Sequence, residues 1–196
     1  MKEHQFIHAL RGVTAAALLA LGTVGTSSAA EYTSIDPSTS RVLFQYTQMG
    51  VGMDGAFDRF SAAIKFDPAR LADARAALDI QVASIDTGSA EGNDEVKTKT
   101  WFNTAAHPVA HFESTEFKAL GGDRYEVAGT LTIKGKTRKV TAPFTFKPDG
   151  KAATVRGGFA LKRNDFAIGE GEWADTSIVA NDIRINFDLR ALQGEK

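Results

Sequence analysis

Past residue 30, two histidines and a knot of carboxylates are the residues of this chain with chemistry to offer. His107 and His111 stand four apart, the spacing of two metal ligands on one helix face. Pro108 lies between them, and "VAHFES" after it alternates like a strand. On a strand both rings point the same way, opposite Phe112 and toward solvent, so no metal site is expected. "GEGEWAD" (169–175) brings Glu170, Glu172 and Asp175 close together. Paired carboxylates can do acid–base work or hold calcium. The acidic calcium-loop pattern is absent, and a solvated loop is the expectation. Arg163 and Asp165 stand a few residues upstream. With Glu170 and Glu172 they leave room for an alternative, a hydrolase or isomerase of small apolar molecules. Scarce histidine, no Gly-x-Ser-x-Gly elbow and no nucleotide-type glycine loop weigh against it. The chain has no cysteine, hence no thiol chemistry, disulfide or lipid-modified cysteine. The expectation is a protein that is not an enzyme and carries no cofactor.

The elements that would position these groups are short alternating runs. "DIRINFDLR" (182–190) sends Ile183, Ile185, Phe187 and Leu189 one way and its polar residues the other. Val42, Phe44 and Tyr46 share a face, as do Ala62, Ile64 and Phe66, and Leu78, Ile80 and Val82. Ala110, Phe112 and Ser114 align, as do Tyr125, Val127, Leu131 and Ile133. Ala142, Phe144 and Phe146 follow, then Val155, Phe159 and Leu161. Gly121-Gly122, Lys134-Gly135-Lys136 and Pro148-Asp149-Gly150 fall between runs as turns. Even spacing argues for an antiparallel sandwich or closed barrel. Glycines inside or at the ends of strands, such as Gly55, Gly129 and Gly157, mark bends that curve a sheet. Short helices are expected only within 67–78, begun by Asp67-Pro68, and within 89–106, burying Val96, Trp101 and Phe102.

Thirteen Phe against two Trp and three Tyr give apolar bulk without polar tips, suited to lining a large interior. A formal net charge of −1 calls for no nucleic-acid partner. Residues 1–30 differ from the rest. Lys2 and Arg11 precede an apolar run from Val13 to about Val24, and Ser28 and Ala30 hold the small-residue positions of a cleavage site. That is the three-part pattern of a secretory signal, cleaved near Ala30. The run is too short for a membrane span, which needs roughly 20 residues. One domain then covers 31–196, with no membrane span left after processing. An eight-stranded barrel is just wide enough for its own side chains or for one small ligand. Composition leaves that choice open.

"EYTSIDPSTSRVLFQY", "GAFDRF", "IKFDP", "SIDTG", "WFNTAAHPVAHFESTEF", "GTLTIKGKTRKV" and "RNDFAIGEG" follow one another in this order. In that series the chain, from about Tyr32 to Ala191, resembles the YceI-like family. The resemblance implies an all-β fold: a lipocalin-like, eight-stranded antiparallel barrel with a long apolar tunnel. It implies a periplasmic protein that holds an isoprenoid (polyprenyl or quinone-like) or other amphiphilic lipid, tail inside and head at the mouth. No enzyme activity is implied. The alternative is a solid-core envelope protein protecting against stress or binding other proteins, and a homodimer remains open. The chain departs from the family at Gly92-Asn93, where Arg-Asp is common, at "WFN" (101–103) and at His107-Pro108. It departs again at Lys136 and Lys139, and at Ala167, which replaces a common glycine. These put the head group in doubt, not the tunnel.

Within that implied barrel the lipid-binding candidates are the inward apolar positions. They are Phe44, Phe66, Phe112, Leu131, Ile133, Phe144, Phe146, Phe159, Ile183, Ile185, Phe187 and Leu189. Phe57 and Phe60, in "GAFDRF", would plug or shape one end. Ordinary core packing is the competing role for each. Arg163, Asn164 and Asp165 are the candidate polar groups at the mouth, with a structural turn and ion pair as the alternative.

Overall fold

The computed structural model describes residues 30–194. The signal segment expected over 1–30 therefore lies, but for Ala30, outside the described residues. The strands are β1 (Tyr32–Gln48), β2 (Val51–Phe57), β3 (Phe60–Phe66), β4 (Arg75–Gln81), β5 (Ile85–Asp86), β6 (Val109–Gly121), β7 (Arg124–Ile133), β8 (Lys136–Asp149), β9 (Ala152–Lys162) and β10 (Asp182–Gln193). All pairings are antiparallel, and β1 pairs with β10 to close the sheet on itself. β2 and β3 are two halves of one strand broken at Asp58-Arg59. Val42 pairs with Phe57 and Tyr32 with Phe66, both along β1. Counting them together, eight strands run round the barrel, and the two-residue β5 adds to the flank of β2.

Alternation decides what faces inward. Along β10, Ile185 stands opposite Phe159 of β9 and Phe44 of β1, so one inward row continues across three strands. The chain slips in register in β1 between Asp36 and Arg41. Pro37, which has no N–H to give a ladder, sits in that slip. The Ser38 amide and hydroxyl, at 2.9 and 2.6 Å, hold the Asp36 carboxylate. These hydrogen bonds pull its pKa below the ordinary value.

The helix expected within 67–78 is reduced to one 3₁₀ turn, Leu71–Asp73, and Arg75–Gln81 is strand. "ARAAL" has good helix propensity, but pairing with β3 and β6 overrides it. Asp67 closes the chain reversal just before the 3₁₀ turn, accepting from the Ala69 amide at 2.9 Å and from Arg70 Nε at 2.8 Å. The second helix, α1 (Ala90–Glu95), is six residues long. Ser89 caps it, its hydroxyl accepting from the Gly92 amide at 3.0 Å.

β2 was not legible in the sequence. Gly52 and Gly55 interrupt its alternation, and Gly55 has a second purpose. A Cβ there would collide with the Phe44 ring on the adjacent strand. Gly157 does the same beneath Phe187, whose Cζ would stand 2.6 Å from an added Cβ. The strand glycines read as bends are also beds for phenyl rings.

His111 faces outward, as its spacing suggested. Its Nδ1 lies 2.6 Å from Asp79 and its Nε2 3.6 Å from Glu113. His107 precedes β6 and lies outside the strand. The hydrogen bond to Asp79 raises the His111 pKa above its usual 6.5. A raised histidine adds stability that is full below 6.5 and is lost as pH climbs through the higher folded value. An NMR titration is expected to put its midpoint above 6.5, and Asp79→Asn to bring it back down.

Candidate ligand-binding site: an apolar cavity in the barrel

Aromatic rings close one end of the barrel. Phe66 sits 4.7 Å from Phe146 and 5.5 Å from Tyr125, centroid to centroid, and Tyr32 sits 4.9 Å from Phe146. Tyr125 stacks on Phe144 at 5.5 Å. The rings interdigitate here, as a solid core requires. Above them they do not. A cavity of about 640 Å³ continues toward the opposite end, with Phe66, Phe117, Phe144 and Phe146 at its floor.

Phe44, Phe112, Leu131, Ile133, Phe159, Ile183, Ile185, Phe187 and Leu189 also line this cavity, as the alternation predicted, and Phe57, expected to plug or shape one end, lines it too. Phe60 does not. It begins β3 at the Asp58-Arg59 break, pairs with Ile80 and is only partly buried. Val96, Trp101 and Phe102 complete the wall at the open end. Sequence reasoning put Tyr46 on the face of Phe44 without naming it a candidate, and missed Met53, Ile168, Trp173 and Val179 there. Trp173 stood hidden among the carboxylates of "GEGEWAD", where an isolated aromatic was the available signal.

The rim is polar. Gln48, Thr87, Ser89, Glu91 and Glu95 join the apolar residues where β1, α1 and the segment before it meet. Asn93 fastens that segment, its Oδ1 accepting from the Thr87 amide at 2.6 Å and hydroxyl at 2.8 Å. The Tyr46 hydroxyl donates to Thr87 O at 3.2 Å, and burial pushes its pKa up.

The structure separates the three candidate mouth groups. Asn164 and Asp165 are exposed and lie outside the wall. Arg163 is 1% exposed, at the edge of the cavity. Its guanidinium makes no ion pair among the described residues. Instead Nη1 donates to Ile168 O and Gly169 O at 2.9 and 3.0 Å, and Nη2 to Trp173 O and Val179 O at 2.7 and 2.8 Å. Nε reaches Val179 O and Ala180 O, both at 3.3 Å. An arginine has five N–H donors, and this cage engages all of its nitrogens. Burial lowers its pKa below the ordinary value. Arg163 therefore positions the 163–180 loop, including Ile168, Trp173 and Val179 of the wall, and is not free for a head group. Gly169 is required at its place because a Cβ would strike Arg163 Nη1.

The carboxylate knot is structural too. Lys134 Nζ donates to Glu170 at 2.8 Å and to Ala167 O at 2.6 Å, pinning the loop to the β7–β8 turn. This lowers the Glu170 pKa, and the Ser177 amide lowers that of Asp175. Neither is raised toward neutrality as a general acid would be. Ala167 stands at φ 55°, the left-handed region, which explains why a glycine is common there. Ala167→Gly is expected to stabilise the protein by about 1 kcal/mol, read as a higher urea midpoint.

Trp101 and Trp173 pack at 5.5 Å, and the Arg163 guanidinium lies 5.7 Å over the Trp101 ring. Both indole nitrogens are buried with no hydrogen-bond partner among the described residues. An unmet buried donor costs roughly 1–3 kcal/mol, so this corner of the wall has the most to gain from an acceptor.

A closed antiparallel barrel with an apolar cavity matches what the sequence resemblance implied, and the YceI-like domain pattern covers residues 33–191. The chain belongs to the YceI-like family. The crystal structure of BcnA from Burkholderia cenocepacia is 44% identical and superposes with a TM-score of 0.78, covering 80% of this chain and 99% of that one. A UPF0312 protein of Azotobacter vinelandii is 32% identical over 165 residues, 78% of this chain and 85% of its own. A polyisoprenoid binding domain from Saccharophagus degradans shares the YceI-like fold at 17% identity and a TM-score of 0.65, over 84% of this chain and 99% of that one.

Proposed function

We propose that this YceI-like protein is a binding protein, not an enzyme. It holds a long isoprenoid, polyprenyl or quinone-like, or another amphiphilic lipid, tail in the cavity and head at the rim. We propose further that it is exported to the periplasm through the segment at 1–30, is cleaved near Ala30, and carries or stores this lipid there.

One observation carries the reading: an apolar cavity of about 640 Å³ that runs from an aromatic floor to a polar rim. That volume falls within the roughly 300–1,000 Å³ of ligand sites. A hydrocarbon tail needs a dry, apolar slot and gains roughly 0.8 kcal/mol per methylene leaving water. The description of the Saccharophagus degradans neighbour as polyisoprenoid-binding supports the same ligand class. Among the described residues no helix is long and apolar enough to cross a membrane. A solid-core reading accounts for the packed floor only.

The test is to purify the protein, denature it, extract it with organic solvent and weigh what is released. A tailed lipid in near-stoichiometric amount is expected. Lipid-free protein that also fails to take up an added polyprenol or quinone would overturn the proposal.

A further inference from the structure

The hairpin that joins β1 to β2 is shaped unlike an ordinary solvent turn. Gln48 pairs with Val51, leaving Met49 and Gly50 as a two-residue loop with φ of 50° and 80°. Positive φ at both positions belongs to a tight turn that favours Asn or Asp before Gly. Here a methionine takes the strained first position. It is 76% exposed, and Val51 beside it is 61% exposed. The Met49 amide donates to Ile178 O at 2.8 Å, and Ile178 is itself an exposed apolar residue. Three exposed apolar residues thus share one tip, Met49 and Ile178 joined through their backbones.

The tip continues into the mouth of the cavity. Gln48 bridges to Val179, and Gln48, Val179 and Met53 all line the wall. The two segments that build it, "TQMGVGM" (47–53) and "TSIVA" (176–180), contain no charge. The charges around it are of both signs: Asp54, Asp175 and Asp182 flank the two segments along the chain, Glu91 and Glu95 stand on the rim, and Arg184 pairs with Gln45 beside the tip.

We propose that this tip is a docking lip that dips into a zwitterionic lipid bilayer and sets the cavity mouth against it. Three side chains fall far short of the about 800 Å² per partner that a stable protein interface buries. They suit a shallow insertion into the interfacial layer, which requires apolar side chains and no partner surface. The lip carries no charge of its own and offers no cation to an anionic headgroup, so docking is insensitive to added salt. The lip rests on the reading of the cavity as a lipid site, because its use is to pass a tail between bilayer and barrel.

The test uses the protein as the expressing cell processes it, floated with phosphatidylcholine vesicles and with vesicles containing phosphatidylglycerol. The wild type is expected to float with phosphatidylcholine equally at low and high salt. Met49→Asn/Val51→Thr is expected to reduce that binding at least tenfold with an unchanged or higher thermal midpoint, since Asn suits the turn. Should the double variant fail to fold, Met49→Asn alone carries the test, with an expected loss of at least threefold. Undiminished flotation of the folded variants overturns the lip. So does binding to phosphatidylglycerol vesicles alone, or a wild-type dimer that the substitutions dissolve. Organic extraction of the same samples separates the two readings. Occupied protein that stays off vesicles overturns the lip and leaves the cargo reading standing. Protein that floats but cannot be loaded keeps the lip and overturns the cargo.

Discussion

Replacing Arg163 with methionine is expected to destabilise the protein by about 3 kcal/mol or more, the scale of removing one member of a buried charged network. The reason is what the guanidinium leaves behind. The carbonyls of Ile168, Gly169, Trp173 and Val179 all accept from it, and it is among the most deeply buried side chains of the barrel. Methionine fills much of the volume and satisfies none of them. Arg163→Lys is expected to recover only part of the loss, because an ammonium has three donors on one centre where the cage needs a planar fork. Urea midpoints measure both. Ligand affinity should fall in parallel, since Trp173 and Val179 hold the wall through this cage. A loss below about 1 kcal/mol for the methionine variant would show that water or loop motion replaces the arginine easily, and the cage would lose its structural role.

The second large effect concerns the cavity itself. Ala62 lines it from β3, opposite Leu78 of β4, and its side chain leaves the neighbouring space open. Ala62→Trp places an indole in the path of a tail. Affinity for a long-tailed ligand is expected to drop at least about a hundredfold, close to 2.7 kcal/mol. Stability should change by less than about 1.5 kcal/mol, because the ring enters a void instead of a packed core. Ala62→Leu should give an intermediate loss of affinity. If the tryptophan variant unfolds, or binds a tail as before, the space beside Ala62 is not the ligand's space.

Strand faces were legible in the sequence because period-two alternation is a local property that the barrel keeps. Ile183, Ile185, Phe187 and Leu189 are read from nine residues and line the cavity in the structure. What alternation cannot supply is direction outside strands. Arg163, Asn164 and Asp165 fall in a 3₁₀ turn, where neighbouring side chains diverge. One is caged inside and two are exposed, which their polarity alone does not distinguish. The start of β4 was obscured by alanines that serve a helix as well as a strand, and β2 by two glycines, of which Gly55 makes room for the Phe44 ring on the adjacent strand. The choice between a solid and a hollow interior depends on how far opposite walls stand apart. No local pattern encodes that distance, and the answer differs along the axis: packed at the Tyr32 end, open toward the rim.

The account turns on that open half accepting hydrocarbon. The direct measurement is the affinity of the emptied protein for a series of one head group on progressively longer polyprenyl or alkyl tails. Each added methylene should tighten binding by up to about fourfold, the equivalent of roughly 0.8 kcal/mol, until the cavity is filled, and further carbons should then add nothing. Affinity that ignores tail length from the shortest member onward would contradict a hydrocarbon slot.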